Sequence, residues 1–272
     1  EIDIDALIIQ DIGLASLVKN IFPEFEIHGS TQMTINNLQG TIFLENMGFQ
    51  RVVLARELSI EEIKYINDRS NIELEAFVHG ALCVCYSGQC LMSSIIGGRS
   101  GNRGRCAQPC RMPYSIVSLK DENYSIKDYE RKYILSPKDL NTIENLGEII
   151  ESGIMSLKIE GRMKKPEYVA TVVNKYRKAL DLGSNKISET DKREIEEIFN
   201  RGFTKGYLFG DFGDRLISLD KPNNRGICIG KVIKIDRNKI YIRLKEDVQV
   251  KDGIQLVTNK GEEVGLILDN SA

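Results

Sequence analysis

Histidine is nearly absent from this chain: 272 residues contain only His28 and His79. There is accordingly no H-E-x-x-H zinc-peptidase pattern, and no G-x-S-x-G turn to present a serine nucleophile. No uninterrupted apolar run approaches the roughly 18 residues of a bilayer span. The opening EIDIDALIIQD lacks the positive charge of a secretory signal. A cytoplasmic protein without membrane segments is expected. The first residue is Glu1 and not methionine, so the natural chain is expected to begin upstream. The most telling absence is local. No Asp or Glu lies between Glu75 and Asp121, although the whole chain carries 39 acidic and 37 basic residues for a net charge of -2.

That acid-free interval holds His79, Arg99, Arg103, Arg105, Arg111 and Lys120, together with five of the six cysteines. Cys83, Cys90, Cys106 and Cys110 have the spacing C-x6-C-x15-C-x3-C. Four thiolates held together imply a metal centre whose negative charge the arginines would offset. Three disulfides are the competing reading. Stapled frameworks belong to small secreted domains, however, and a chain of this length with 42% hydrophobic residues can build a core without them. Structural zinc would accept the same thiolates, usually in short paired knuckles, and only Cys106 and Cys110 form such a pair. The longer gaps suit an iron–sulfur cluster wrapped by loops, with zinc as the alternative.

Apolar runs alternate with helical patterns at a period of about 25 residues through the first two thirds of the chain. Strands are expected at Ala6 to Ile9, Glu26 to His28, Val52 to Ala55, Glu73 to Val78, Tyr133 to Leu135 and Ser156 to Ile159. Helices are expected at Leu14 to Ile21, Ile35 to Met47, Ile60 to Asn67, Thr142 to Ser152 and Pro166 to Leu182. Ser59 and Glu62 cap the third of these, and a first-turn proline opens the last. Repeated β-α units predict a parallel sheet, either open or part of a TIM-like β/α barrel. Six units are countable where a barrel needs eight, so an N-terminally truncated, partial barrel is expected. Polar residues recur at the strand C-terminal ends, where such folds place their sites: His28, Ser30, Thr31, Gln32, Arg56, Glu57, Glu75, His79, Lys138, Asp139, Lys158, Glu160 and Arg162.

From Arg225 the pattern changes to short strands, Ile227 to Ile235, Lys239 to Leu244, Ile254 to Val257 and Glu263 to Leu268, with turns at Asp236 to Asn238 and Asn259 to Gly261. The expected organisation is a partial barrel over 1–183, a connection over 184–224 and a small all-β, barrel-like domain over 225–272. The glycine- and aromatic-rich run Arg201-GFTKGYLFGDFGD falls in the connection, and its aromatics are expected to pack.

The run Glu75-AFVHGALCVCYSGQCLMS resembles the peptidase U32 family through Glu75, Phe77, Gly80, Ala81, Leu82, Cys83, Gly88, Cys90, Met92 and Ser93. HGSTQ at His28 to Gln32, LSPKDL at Leu135 to Leu140 and SLKIEGRMKKPEYVA at Ser156 to Ala170 are similar to it too. The resemblance covers nearly the whole chain. It implies a barrel-like domain whose sequences usually begin one or two β-α units earlier. It also implies a four-cysteine iron–sulfur cluster, 4Fe-4S, on Cys83, Cys90, Cys106 and Cys110. Among such proteins some act in hydroxylation of RNA bases, such as the tRNA wobble uridine with prephenate as a required metabolite, or of ubiquinone precursors; collagenase-like proteolysis is assigned to others. Cys85 is left as a packed thiol and Cys228 as a small buried hydrophobe.

RNA-base hydroxylation uses what the chain contains: a redox-capable centre, arginines able to hold carboxylate or phosphate, and a small β-domain. Candidate anion binders are Arg99, Arg103, Arg105, Arg111 and Arg162, with His28 and Gln32 at the same strand ends; some of the arginines would only neutralise the thiolates. Lys158, Glu160 and Arg162 alternate, which predicts one shared face, with Lys158 and Arg162 on a substrate carboxylate and Glu160 moving a proton. Glu75 and His79 complete the candidate catalytic set. A peptidase is the alternative, and a scaffold or electron-transfer subunit needing a partner is the second.

Overall fold

The computed structural model of the protein describes residues 3–117, 132–237, 239–258 and 262–269. Lys120, Asp121, Asn238 and the turn at Asn259 to Gly261 lie outside the described residues. The chain divides into two compact units, residues 1–226 and 227–272. No helix among the described residues is long and apolar enough to cross a membrane.

The first unit begins with β1 (Ala6–Ile9), α1 (Ile12–Ile21), β2 (Glu26–Gly29), α2 (Leu38–Asn46), β3 (Arg51–Val53), α3 (Ile60–Asn67) and β4 (Glu73–Ala81). There follow α4 (Met92–Gly97), β5 (Asp139–Asn141), α5 (Leu146–Glu151), β6 (Ile154–Ile159), α6 (Pro166–Leu182), α7 (Glu189–Ile198) and β7 (Phe203–Thr204). Strands β1, β2, β3, β4 and β6 pair in parallel. The architecture is therefore α/β with a largely parallel sheet. β4 is its hub, pairing with β3, β5 and β6 along nine residues.

The expectation of an all-parallel sheet needs correction. β5 runs antiparallel to β4, with His79 opposite Asn141. Tyr133 to Leu135, expected as a strand, forms a turn closed by Ser136 N–H donating to Tyr133 O at 2.9 Å. The strand starts only after Pro137, which has no N–H to give to a ladder. Among the described residues the sheet does not close into a barrel: its hydrogen-bonded path ends at β1 and at β7.

Local chemistry explains the helices. Ser59 accepts from Glu62 N while the Glu62 carboxylate accepts from Ser59 N, a reciprocal cap that starts α3. α6 opens on Pro166 and buries Tyr168, Val172, Tyr176 and Ala179, one stripe at helical spacing. Residues 184–224, expected as a connection, carry α7 and β7 and belong to the first unit. Ser188 and Asp191 form a second reciprocal cap there, and Asp191 also takes Lys175 and Lys178 of α6 at 3.0 and 2.6 Å. These donors hold the Asp191 carboxyl well below the usual range, the Lys178 hydrogen bond most of all. α4 is the other helix missing from the sequence pattern.

The second unit holds two antiparallel hairpins, β8 (Gly230–Asp236) with β9 (Lys239–Leu244), and β10 (Gly253–Val257) with β11 (Glu263–Ile267). They form separate two-stranded sheets rather than one barrel among the described residues. Cys228 is exposed, contrary to the buried position expected of it.

β5 and β7 are locked by one buried ion pair. Arg201 Nη1 donates to Asp139 Oδ1 at 2.7 Å, Arg201 N–H donates to Asp139 Oδ2 at 3.0 Å, and Arg201 Nε donates to Pro222 O at 2.7 Å. Both side chains are at most 8% exposed. Removing one partner leaves a buried charge uncompensated, so Asp139→Ala is expected to lower unfolding free energy by about 3–5 kcal/mol. A urea titration showing a loss below about 1 kcal/mol would mean that water, not Asp139, satisfies Arg201.

Candidate functional site

The site is assembled where β4 and β6 end. Gly80 has φ +104°, and a Cβ there would strike the backbone carbonyl of Glu160. With glycine the two chains close up, and Glu160 N–H donates to His79 O at 2.8 Å. Cys83 thus starts its loop beside the segment that begins at Glu160. A second close approach fixes the loop's far side: Gly88 has φ +78° and packs against the Gln32 backbone. Fully buried Ser87 gathers the neighbouring turns, its carbonyl accepting from Thr34 Oγ1 at 2.6 Å and its hydroxyl from Arg56 N at 3.1 Å. Its N–H donates to Glu57 Oε1 at 3.0 Å. Further along, Ser93 Oγ accepts from Ala107 N at 2.9 Å.

Between these walls lies a cavity of about 830 Å³ whose lining includes Cys83, Cys106, Cys110, Glu160, Arg162, Lys164, Tyr168 and Arg201. Cys110 is raised above the ordinary thiol range, mainly by burial and further by Cys83, Cys106 and Cys90, while Arg111 opposes them. Cys85 is raised by burial and by Cys90 and Cys83, so it stands close to the other thiols and is not isolated from them. Among the described residues, no three His, Cys, Asp or Glu side chains form a group that could hold a metal ion. The donor chemistry still suits a cluster: several soft thiols share one pocket, and Arg111 and Arg162 supply positive charge to it.

The expected site residues do not all meet here. Glu160 and Arg162 line the cavity, but Lys158 does not, because β6 ends at Ile159 and the alternation ends with it. Lys158 instead donates to Glu75 Oε1 at 2.7 Å, while Ser156 donates to Glu75 Oε2 at 2.8 Å and Arg51 lies 3.7 Å from the same oxygen. Burial alone would raise Glu75, but Lys158, Ser156 and Arg51 outweigh it and hold the carboxyl below its usual range. The shared face expected for Lys158, Glu160 and Arg162 is therefore corrected.

His28 is nearly buried and pairs with Glu26 at 2.6 Å. Gln32 supports Gly88 through its backbone. Arg99 and Arg103 are exposed at the loop's outer side, and Arg99 Nε donates to Arg105 O at 3.0 Å. Arg111 lines the cavity, yet its guanidinium is committed to Ser136 Oγ and to the carbonyls of Pro137 and Leu82. It clamps the residue after Cys110 to the end of β4. Burial, with Arg201 nearby, brings it down to about 10.

His79 is 1% exposed among the rings of Tyr168, Tyr176 and Phe203 and is not part of the cavity lining. Its Nδ1 lies 3.3 Å from Tyr176 Oη, which itself donates to Val78 O, so the imidazole N–H points to the phenol oxygen. Nε2 is buried without a partner among the described residues.

Two charged cavity residues that matter here, Arg201 and Lys164, are not marked as site residues by the sequence. Arg201 sits in the glycine-rich run, where no periodicity flags a charge. Lys164 follows the strand in SLKIEGRMKKPEYVA, and the pair Lys164-Lys165 was its only signal. The Lys164 amine lies 2.7 Å from the Phe199 ring centroid and 5.4 Å from that of Tyr168. Burial and then Arg201 bring it down to about 7, with Arg111 adding to them and Asp139 and Glu160 opposing.

A cavity lined by thiols and cations at the end of a β-α sheet defines a thiol-rich α/β protein. Residues 1–218 match the peptidase family U32, and the chain belongs to that family. It is 37% identical over 273 residues to a 23S rRNA 5-hydroxycytidine synthase of Escherichia coli, covering 96% of this chain and 40% of that one. It is 41% identical over 262 residues to a tRNA hydroxylation protein of Bacillus subtilis, covering 92% of this chain and 62% of the relative. A protein of Porphyromonas gingivalis named collagenase is 36% identical over 224 residues, covering 76% of this chain and 53% of its own length. The chain therefore spans between two fifths and two thirds of these relatives.

The His79 environment makes a prediction. Burial pushes its pKa from 6.5 down to about 3, so as pH falls through that window the unfolded chain binds a proton that the fold refuses. The stability that neutral His79 contributes is present above pH 6.5 and declines toward pH 3, by roughly 1 kcal/mol per pH unit. His79→Gln is expected to flatten the pH dependence of the urea midpoint between about pH 6.5 and 4.5, above the range where carboxylates titrate. An unchanged slope would mean that the folded protein takes up the proton.

Proposed function

We propose that this chain is the cluster-bearing part of an RNA-base hydroxylation protein, with a tRNA wobble uridine as substrate and 5-hydroxyuridine as product. The observation that carries this reading is the cavity into which Cys83, Cys106 and Cys110 face together with Glu160, Arg162 and Lys164. The names of the Escherichia coli and Bacillus subtilis relatives support hydroxylation of an RNA base.

Cys83, Cys90, Cys106 and Cys110 would hold a 4Fe-4S cluster, which when bound supplies one-electron redox chemistry. The remaining work falls to this chain's own groups. Arg162 has no ion-pair partner among the described residues, and in this reading it holds the carboxylate of a small acid such as prephenate or a phosphate of the RNA. Glu160, whose Oε1 accepts the Arg162 N–H at 3.0 Å, takes or returns a proton. Arg111 keeps Cys110 against β4, and Tyr168 and Phe199 exclude water from the inner wall. In the same reading the sheet is an arc of a β/α barrel, the protein works in the cytoplasm, and a partner subunit delivers electrons.

Proteolysis is the reading suggested by the Porphyromonas gingivalis relative's name. It needs a nucleophile with a base beside it. His79 is buried among aromatics and His28 is tied to Glu26, and neither lines the cavity with the cysteines.

The test is iron and sulfide content and the visible spectrum of protein purified without oxygen, with each of the four cysteines changed to Ala, alongside nucleoside mass analysis of tRNA from cells lacking the full-length protein. Brown, iron- and sulfide-containing protein that each substitution bleaches, with 5-hydroxyuridine lost from the tRNA, is expected. Colourless protein carrying stoichiometric zinc would overturn the redox reading.

A further inference from the structure

Lys164 is placed as few lysines are. Its side chain reaches back over Phe199 and toward Tyr168, so the amine sits on the inner wall of the 830 Å³ cavity and not in bulk water. No carboxylate pairs with it among the described residues. The backbone that delivers it is strained: Met163, between Arg162 and Lys164, has φ +138°, a region that L residues avoid, and its side chain is 77% exposed. Packing of the Met163 side chain does not explain that conformation. Arg162, Met163 and Lys164 all line the cavity, with Glu160 two residues before Arg162.

We propose that Lys164 is a nucleophilic amine that forms an imine with the carbonyl group of a small 2-oxo acid, whose carboxylate Arg162 holds. A desolvated lysine beside other cations is the arrangement that frees an amine lone pair at neutral pH. The groups facing it are Arg201, Asp139 and Arg111 from the β4–β5–β7 side and Glu160 from its own segment. The two nearer guanidiniums are engaged, Arg201 with Asp139 and Pro222, and Arg111 with Ser136, Pro137 and Leu82. Arg162, which lines the cavity with no ion pair among the described residues, is a cation available to a ligand.

The step balances without an oxidant. The Nζ lone pair adds to the carbonyl carbon, a C–N bond forms, and the π pair moves to oxygen, which takes the proton released by nitrogen. A second proton, carried by the Glu160 carboxyl or by solvent, lets that oxygen leave as water, and the C=N iminium remains. The proposal stands whether or not RNA is the protein's substrate.

Incubation of the full chain with pyruvate or 2-oxoglutarate and cyanoborohydride, followed by peptide mass mapping, tests it. Reduced adduct on Lys164 is expected to exceed that on other lysines by at least about tenfold at pH 7, because burial and then Arg201 bring its amine down to about 7 while an ordinary lysine stays protonated there. Lys164→Arg is expected to abolish that adduct. Arg162→Gln is expected to lower labelling by the oxo acids several-fold while labelling by acetone, which has no carboxylate, stays unchanged. Even labelling across exposed lysines of the unsubstituted protein, or none at Lys164, overturns the proposal. Equal loss with acetone and oxo acid in Arg162→Gln overturns the role of Arg162.

Discussion

The site depends on the absence of one side chain. At Gly80 the backbone of β4 lies against the carbonyl of Glu160, a separation that no residue with a Cβ could adopt. Two segments about eighty positions apart in sequence are thereby laid edge to edge. One continues into Leu82 and Cys83, the other into Arg162 and Lys164, and the cavity is the space left where they diverge. β4 can serve this purpose because it is fixed elsewhere along its length, by β3 near its start, β6 through its middle and β5 at its end. Asp139, buried with Arg201, keeps the β5 side from shifting.

Charge is organised around that space in two ways. The sheet neutralises its own polar groups in pairs, Glu75 with Lys158 and Ser156, Glu26 with His28, and Arg51 with Glu73. The cysteine loop has no acidic residue to pair with its arginines, so carbonyl oxygens take that role for Arg111 and Arg99. A guanidinium bonded to carbonyls keeps its full positive charge. The Arg111 charge therefore opposes, without overcoming, the burial that raises Cys110, and the loop's arginines attract anions from solvent.

Much of this was legible wherever the signal was local. β1, α3, α6 and β9 have the bounds that alternation, a reciprocal cap or a first-turn proline indicates. The cysteine loop stood out because composition is a local property. What failed were inferences that assumed a pattern continues. Alternation placed Lys158 with Arg162, but the strand stops between them, and Lys158 turns to Glu75. An apolar Tyr-Ile-Leu run resembles a strand, yet the strand forms beyond Pro137, where Leu140 pairs with Gly80 of β4 and joins the core cluster of Phe77 and Leu82. His79 looked catalytic by type, while its burial among three rings, a tertiary fact, makes it a core residue. Lys164 was missed because its position depends on the Met163 backbone, which no spacing rule encodes.

Ser87 links the loop to turns made much earlier in the chain, Thr34 and Arg56 to Glu57, while Arg111 links it to Ser136 and Pro137, made later. A short zinc knuckle gathers its ligands by local turns and can nucleate before the rest of its domain. Here the loop, closed on itself by the shorter Ser93–Ala107 bond, is held to the rest of the fold by contacts of 25 to 53 residues in sequence separation. Such contacts close late, because the entropy of long loops must be overcome first. During synthesis on the ribosome, residues up to at least Glu160, whose carbonyl packs on Gly80, must therefore have emerged before the cavity and its cysteine wall take form, so the loop is completed by the sheet instead of directing it.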